Sequence, residues 1–156
     1  MFHIAQITEE GNDLIACTQL FRAYAEELNA DLCFQDFERE LENPLKKYGS
    51  PKGALFLAKD DDRPVGCVAF QPIAEEGCCE MKRLYVAPAW RKKGIAKLLI
   101  EPLLATAKQN GYTCMKLDTL DRLVPAIELY KSLGFTITQP YYSNPLEGVV
   151  YMEKQL

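Results

Sequence analysis

The apolar positions of this chain change period several times, and each change marks an element. Residues 2–8 alternate apolar and polar side chains, the two-residue period of a strand. After Asp13, a residue suited to capping, Leu14, Cys17, Leu20, Phe21, Tyr24 and Leu28 recur at helical spacing. A second short helix is predicted over residues 34–41, ending before Pro44, and Gly49-Ser50-Pro51 reads as a turn. The period then returns to two. Residues 54–59 and 65–70 flank Asp60-Asp61-Asp62-Arg63-Pro64 as a hairpin, and residues 78–86 follow as a third antiparallel strand. Residues 95–109 form an amphipathic pattern closed by Asn110-Gly111, a helix with its stop signal. A strand over 113–119, a helix over 125–133 with Gly134 as its C-cap, and late strands over 135–139 and 149–153 complete the order. With no repeat, low-complexity tract or linker, the pattern predicts one α+β domain over residues 1–156. Pro102 falls inside the 95–109 helix, where it costs about 3 kcal/mol unless the helix kinks.

Composition narrows the classes. The chain is 48% apolar and 26% charged, as soluble globular proteins are, and carries a formal charge of −4. That charge argues against nucleic-acid and anionic-membrane partners, and the three cations at residues 91–93 are too few to make a nucleic-acid face. No apolar run approaches the roughly 20 residues of a spanning helix, and the start lacks a signal-peptide layout. Cys17, Cys33, Cys67, Cys78, Cys79 and Cys114 include no C-x-x-C pair, which reads as reduced, buried thiols in a cytoplasmic protein. The adjacent Cys78 and Cys79 point to opposite faces of a strand.

Elimination narrows the chemistry. His3 is the single histidine, so zinc-type Cys/His spacing and a Ser-His-Asp or Cys-His relay have nothing else to draw on. Neither a G-x-x-x-x-G-K-[ST] loop nor a G-x-G-x-x-G turn is present, and no acidic cluster is spaced for a metal. What remains is the stretch from Glu80 to the 95–109 helix. A strand ends at Pro88, Arg91-Lys92-Lys93-Gly94 makes a cationic turn, and the turn feeds a helix N-terminus. Helix N-termini leave N–H groups without partners and carry about half a positive charge, so the layout suits a phosphate, with Gly94 letting the backbone come close. An ordinary basic turn is the competing reading.

Those residues resemble a family. V-x-P-x-W-R-K-K-G-I-A at residues 86–96 resembles the acetyl-coenzyme A signature R/Q-x-x-G-x-G/A of the GCN5-related N-acetyltransferases (GNAT). A-I-E-L-Y-K-S-L-G-F at 126–135 resembles that family's later A-x-x-L-Y-x-x-x-G-F segment. The resemblance implies a mixed, mostly antiparallel sheet of about seven strands flanked by helices, in the order β-α-α-β-β-β-α-β-α-β-β. It implies acetyl-CoA as cosubstrate and no metal. Leu84, Tyr85 and Val86 would pair with the pantetheine arm through their backbone. Arg91, Lys92, Lys93, Gly94, Ile95 and Ala96, followed by Lys97, would hold the pyrophosphate. Asp118 and Thr119 would end a strand at a V-shaped opening, Ala126 would meet the cofactor, and Tyr130 would be the general acid at the sulfur. Two departures stand out: Ala96 replaces the second glycine, and Leu123 stands where the family often has asparagine.

The chemistry of acyl transfer fits these roles. An ammonium of pKa ~10.4 must lose a proton before it attacks, a thiolate of pKa ~8.5 must leave, and a phenol of pKa ~10 can donate to it. The oxyanion needs an N–H donor, which a bulge near Leu84–Tyr85 could supply. Glu80 is the candidate base; strict alternation puts it on one face with Lys82 and Leu84, and an ion pair with Lys82 or Arg83 on a solvent face is the alternative. The resemblance implies that acceptor recognition falls to residues 24–28, 33–37 and 141–145, with Glu27 and Tyr142 as substrate-binding candidates beside core packing as the bland reading. The expected function is N-acetylation of a primary amine by direct attack on the thioester, a small-molecule amine being favoured. A protein N-terminus or lysine as acceptor, or a non-catalytic acyl-CoA-binding module, are the alternatives, and a homodimer is left open.

Overall fold

A computed structural model describes residues 1–32 and 36–156. Its elements are β1 (Phe2–Gln6), α1 (Asn12–Leu28), α2 (Phe37–Glu42), α3 (Pro44–Tyr48), β2 (Ala54–Asp60), β3 (Arg63–Pro72), β4 (Cys78–Val86), α4 (Ile95–Gln109), β5 (Cys114–Leu120), α5 (Val124–Ser132), β6 (Thr136–Ile137) and β7 (Val149–Gln155). The strands form one seven-stranded sheet in the order β1-β2-β3-β4-β5-β7-β6. All neighbours are antiparallel except β4 and β5. This is the expected mixed, mostly antiparallel α+β fold. Among the described residues no helix is long and apolar enough to cross a membrane.

Alternation along the strands divides the apolar residues between two faces. Phe56, Val68 and Phe70 pack with Ile95, Leu99 and Leu103 of α4 and with Tyr130 of α5. Leu55, Leu57, Cys67 and Ala69 pack with Cys17, Leu20 and Phe21 of α1 and with Phe37 and Leu41 of α2. Burying both faces of β2 and β3 accounts for their near-continuous apolar runs.

Several local expectations are corrected. Three helices, not two, separate β1 from β2, because Pro44 opens α3 at its first turn instead of marking a stop. The first residues expected in the second helix lie outside the described residues, and α2 begins at Phe37. Asp13 does not cap α1; Gly11 holds the cap position, and the Asp13 carboxylate pairs with Lys59 at 2.6 Å. Helix α4 runs through Pro102. The proline removes a donor to the Leu98 carbonyl, and Leu98 is exposed, so water can serve that carbonyl. β6 is reduced to two residues.

The feature that shapes the site is a bulge in β4. Cys67 stands opposite Tyr85 and Ala69 opposite Lys82, so two steps along β3 match three along β4. Arg83 takes up the extra residue with a φ of 61°. Before the bulge Cys79 and Met81 face α4; after it Leu84 and Val86 do, and Tyr85 faces α1. Leu84 therefore does not share a face with Glu80 and Lys82. The bulge instead turns the adjacent Lys82 and Arg83 toward the same side.

The Arg83 guanidinium is held there by Glu40 of α2, with Nε at 2.7 Å and Nη2 at 2.9 Å from the carboxylate oxygens. Lys47 adds a contact at 3.2 Å, and the guanidinium lies 5.1 Å from the Phe37 ring centroid. Burial opposes the Glu40 charge, but the bonds and charge of Arg83 outweigh it and hold the carboxyl below its ordinary pKa. Glu40→Gln should lower the unfolding free energy by about 3–5 kcal/mol in urea denaturation, because it leaves Arg83 buried without its counter-charge. Because the Glu40 pKa is depressed on folding, its stabilisation is present above the unfolded value of about 4.3 and lost as pH falls through the folded value. Acid sensitivity should therefore be blunted in the variant; an unchanged midpoint and acid limb would show the pair to be energetically idle.

Candidate active site

β4 and β5 pair only at Cys78↔Cys114, Cys79↔Met115 and Glu80↔Lys116, then part. Among the described residues β4 has no ladder partner on that side from Met81 onward, and three adjoining spaces open along the split.

The first is a cleft of about 440 Å³ between β4, the start of α4 and α5. Leu84, Tyr85, Val86, Arg91, Lys92, Gly94, Ile95, Ala96, Lys97 and Ala126 all line it, which gathers most of the residues singled out for a coenzyme. Lys92 and Gly94 both have positive φ, 64° and 80°, which curls the turn so that its N–H groups converge. The first helical bond of α4 is Leu98 N–H to the Gly94 carbonyl at 3.1 Å, so the N–H groups of Ile95, Ala96 and Lys97 precede it. A Cβ built on Gly94 meets no atom within 4 Å, so open space faces the turn. A curled turn, a free strand edge and an apolar-walled cleft fit a pyrophosphate with an extended arm.

Two predicted residues behave differently. Lys93 is exposed and absent from the cleft wall; its charge acts on Asp60. Arg91 turns its side chain along the cleft, donating from Nε to the Val86 carbonyl at 2.9 Å and from Nη2 to Glu27 at 2.5 Å. Glu27, expected on the acceptor side, thus lines the cleft, and the Arg91 bond holds its carboxyl below the usual range.

The second space is a chamber of about 90 Å³ at the split itself, walled by Lys82, Leu84, Asp118, Thr119, Ala126 and Tyr130 among others. Tyr130 is buried, its ring 5.9 Å from that of Phe135. Burial, with help from Tyr24 and Asp118, pushes its phenol well above the ordinary range, so it stays protonated.

The third is a pocket of about 560 Å³ lined by Gln71, Glu80, Lys82, Lys116, Tyr141 and Tyr142 among others. Leu84 and Ala126 border both cleft and chamber, and Lys82 borders both chamber and pocket, so the three spaces adjoin. Glu80 is only 3% exposed, which corrects the solvent-face alternative. It accepts from Gln71 Nε2 at 3.0 Å and from the Tyr141 hydroxyl at 2.5 Å, and Lys82 Nζ lies 3.6 Å away. Across the split, Asp118 accepts a short bond from the Tyr142 hydroxyl and one of 2.8 Å from Asn144, with Lys82 Nζ at 4.0 Å. Burial pulls the Lys82 pKa below the lysine range, although Glu80 and Asp118 pull it back. Burial also pushes the Tyr141 and Tyr142 phenols up, assisted by those carboxylates.

Sequence reasoning named Glu80 and Tyr142 here, placed Tyr141 in an acceptor-side segment and Lys82 as a possible ion-pair partner of Glu80, and gave Asp118 only a place at a strand end. A usable signal existed: Glu80 and Lys82, and Lys116 and Asp118, are charged pairs two residues apart on central strands. Such charges are expensive to bury unless they meet.

With this geometry in view, comparison with known proteins is decisive. The chain belongs to the Acetyltransferase (GNAT) family, whose model matches residues 7–135. It is 46% identical over 145 residues to an uncharacterized N-acetyltransferase of Schizosaccharomyces pombe, covering 92% of this chain and 89% of that one. Its fold is similar to an acetyltransferase from Streptococcus agalactiae 2603 (TM-score 0.82, 19% identity, 99% and 98% of the two chains covered). It is also similar to the PaiA N-acetyltransferase of Thermoplasma acidophilum, solved in complex with coenzyme A (TM-score 0.74, 17% identity, 99% of each chain covered). The protein is an acyl-CoA-dependent N-acetyltransferase of this family.

The raised phenol values carry a direct test. An alkaline spectrophotometric titration should show Tyr130, Tyr141 and Tyr142 still protonated at about pH 11, above the ordinary tyrosine value. Their phenolate absorbance should appear only with unfolding. A full complement of phenolate near pH 10 in folded protein would contradict their burial.

Proposed function

We propose that the protein transfers the acetyl group of acetyl-CoA to the primary amine of a small molecule, by direct attack within one acetyltransferase domain. The observation that carries this reading is the adjacency of three spaces: an elongated cleft, a small chamber and a polar pocket share wall residues where β4 leaves β5.

In this reading the N–H groups of residues 91–96 and the Lys97 charge hold the pyrophosphate, and the open edge at Leu84, Tyr85 and Val86 takes the pantetheine arm. Thr119 and Ala126 flank the thioester end. The acceptor enters the pocket, whose volume of about 560 Å³ matches small-molecule sites; its wall holds the Tyr141 and Tyr142 rings, with Glu75 and Glu80 beside Lys47, Lys82 and Lys116. Glu80, two residues from the bulge, takes the ammonium proton through water. An N–H of the bulged strand near Leu84–Tyr85 stabilises the oxyanion. Tyr130, protonated at neutral pH, donates to the departing sulfur. No covalent enzyme intermediate is required. Retention of Tyr130 at the chamber favours catalysis over passive acyl-CoA binding. Tyr142 borders the acceptor; Glu27, on the cleft, serves the donor side instead.

Thiol release from acetyl-CoA across a panel of small amines and amine-bearing peptides tests the acceptor class, and turnover confined to peptides would overturn it. Tyr130→Phe should lower kcat roughly tenfold or more while acetyl-CoA affinity by calorimetry stays nearly unchanged. Gly94→Glu, which aims a carboxylate into the space before the turn, should abolish that affinity. Full-rate Tyr130→Phe, or donor binding by Gly94→Glu at the parental affinity, would remove those residues from the mechanism.

A further inference from the structure

Among the described residues Lys82 is the one primary amine that lines both the chamber and the acceptor pocket. Its side chain is only 8% exposed, and what exposure it has faces those spaces. Buried ammonium groups are ordinarily tied down by short hydrogen bonds; this one is held by two longer ion pairs. Glu80 and Asp118 stand 3.6 and 4.0 Å from Nζ and the Tyr142 ring centroid 5.7 Å, and among the described residues no acceptor lies within hydrogen-bond distance. Carboxylates from two strands and an aromatic ring thus surround a primary amine at the place where the acceptor amine must arrive. The resident side chain already occupies the surroundings that a substrate would need.

We propose that Lys82 is itself an acetyl acceptor: when no amine fills the pocket, the enzyme acetylates its own Lys82. The inference rests on the donor reading given above. Nζ first sheds a proton to Glu80 or Asp118 and on to solvent. The neutral amine then attacks the thioester carbonyl, the C–N bond forms, the C–S bond breaks, and the sulfur leaves as coenzyme A thiol carrying a proton by way of Tyr130. The net change is amine plus acetyl thioester to acetamide plus thiol, so nothing beyond the enzyme's own donor is consumed. The lowered lysine pKa produced by burial raises the fraction of Nζ able to attack. The product is neutral, fills the chamber and takes away the cation between Glu80 and Asp118. Acetylation would therefore block acceptor entry and silence an enzyme that holds donor but no substrate. A bound acceptor amine, by filling the same place, would protect it.

The full-length protein incubated with acetyl-CoA and no amine should gain a single acetyl group by intact mass spectrometry, release an equal amount of thiol, and carry the label on the peptide containing Lys82. Excess free coenzyme A should suppress that label but leave slow labelling of exposed lysines such as Lys52 and Lys108 unchanged; Lys82→Arg should lose the single fast addition. A protein that binds acetyl-CoA by calorimetry yet leaves Lys82 unlabelled overturns the proposal. Labelling of Lys82 that free coenzyme A does not suppress overturns it too, since the acetyl group would then come from solution. Failure to bind acetyl-CoA at all is a separate result: it removes the donor reading and self-acetylation with it.

Discussion

The Arg83–Glu40 pair is the contact on which the rest of this site depends. A left-handed backbone at a non-glycine residue costs on the order of 1–3 kcal/mol, so Arg83 keeps its φ of 61° only because its surroundings over-determine it. A bidentate carboxylate from α2 and the faces of Phe37 and Tyr24 supply that constraint. The bulge in turn bends β4 and raises its local twist, which carries it away from β5 after Glu80. A straight β4 would continue its parallel ladder and close the chamber. The ion pair with a short helix thus acts on the strand that forms one side of the split.

The same bulge decides which charges are buried. Lys82 and Arg83, adjacent in sequence, both lie on the acceptor-side face, and the two cations are compensated separately: Arg83 by Glu40, Lys82 by Glu80 and Asp118. The two arrangements differ in kind. Arg83 makes short, planar, charge-assisted bonds suited to holding a backbone still. Lys82 has only distant counter-charges, so its desolvation is less fully offset. One pair is structural, and the other remains available for chemistry.

Much of the fold was legible because hydrophobic periodicity survives wherever elements are long. Helix α4 and strand β4 fall at their predicted limits, residues 95–109 and 78–86. Misreadings fell where one residue carried the inference. Pro44 is equally able to end one helix or begin the next, and Asp13 had Lys59, distant in sequence, competing for its carboxylate. A bulge near Leu84–Tyr85 was expected from the need for an oxyanion donor, but its position was harder to read. A bulged strand and a straight one share the alternation Cys79, Met81 up to Lys82, and nothing local in Lys82-Arg83-Leu84 signals that the period slips there. The Glu40 contact, across 43 residues, helps hold Arg83 there.

The two halves of the site differ in legibility for a related reason. The donor cleft is built largely from backbone: a strand edge, the N–H groups at the start of α4, and a glycine that faces open space. Backbone geometry is specified locally, so a few contiguous residues, Arg91 to Ala96, suffice to announce it. The acceptor pocket is built from side chains on separate elements: Gln71 from β3, Glu80 and Lys82 from β4, Lys116 from β5, and Tyr141 and Tyr142 from the segment between β6 and β7. No short window contains that set, and each member can change without disturbing the ladder that carries it. A coenzyme common to many proteins can be met by a local motif. An acceptor particular to one is recognised by residues that only the folded sheet brings together, with Lys82 standing at the junction of the two.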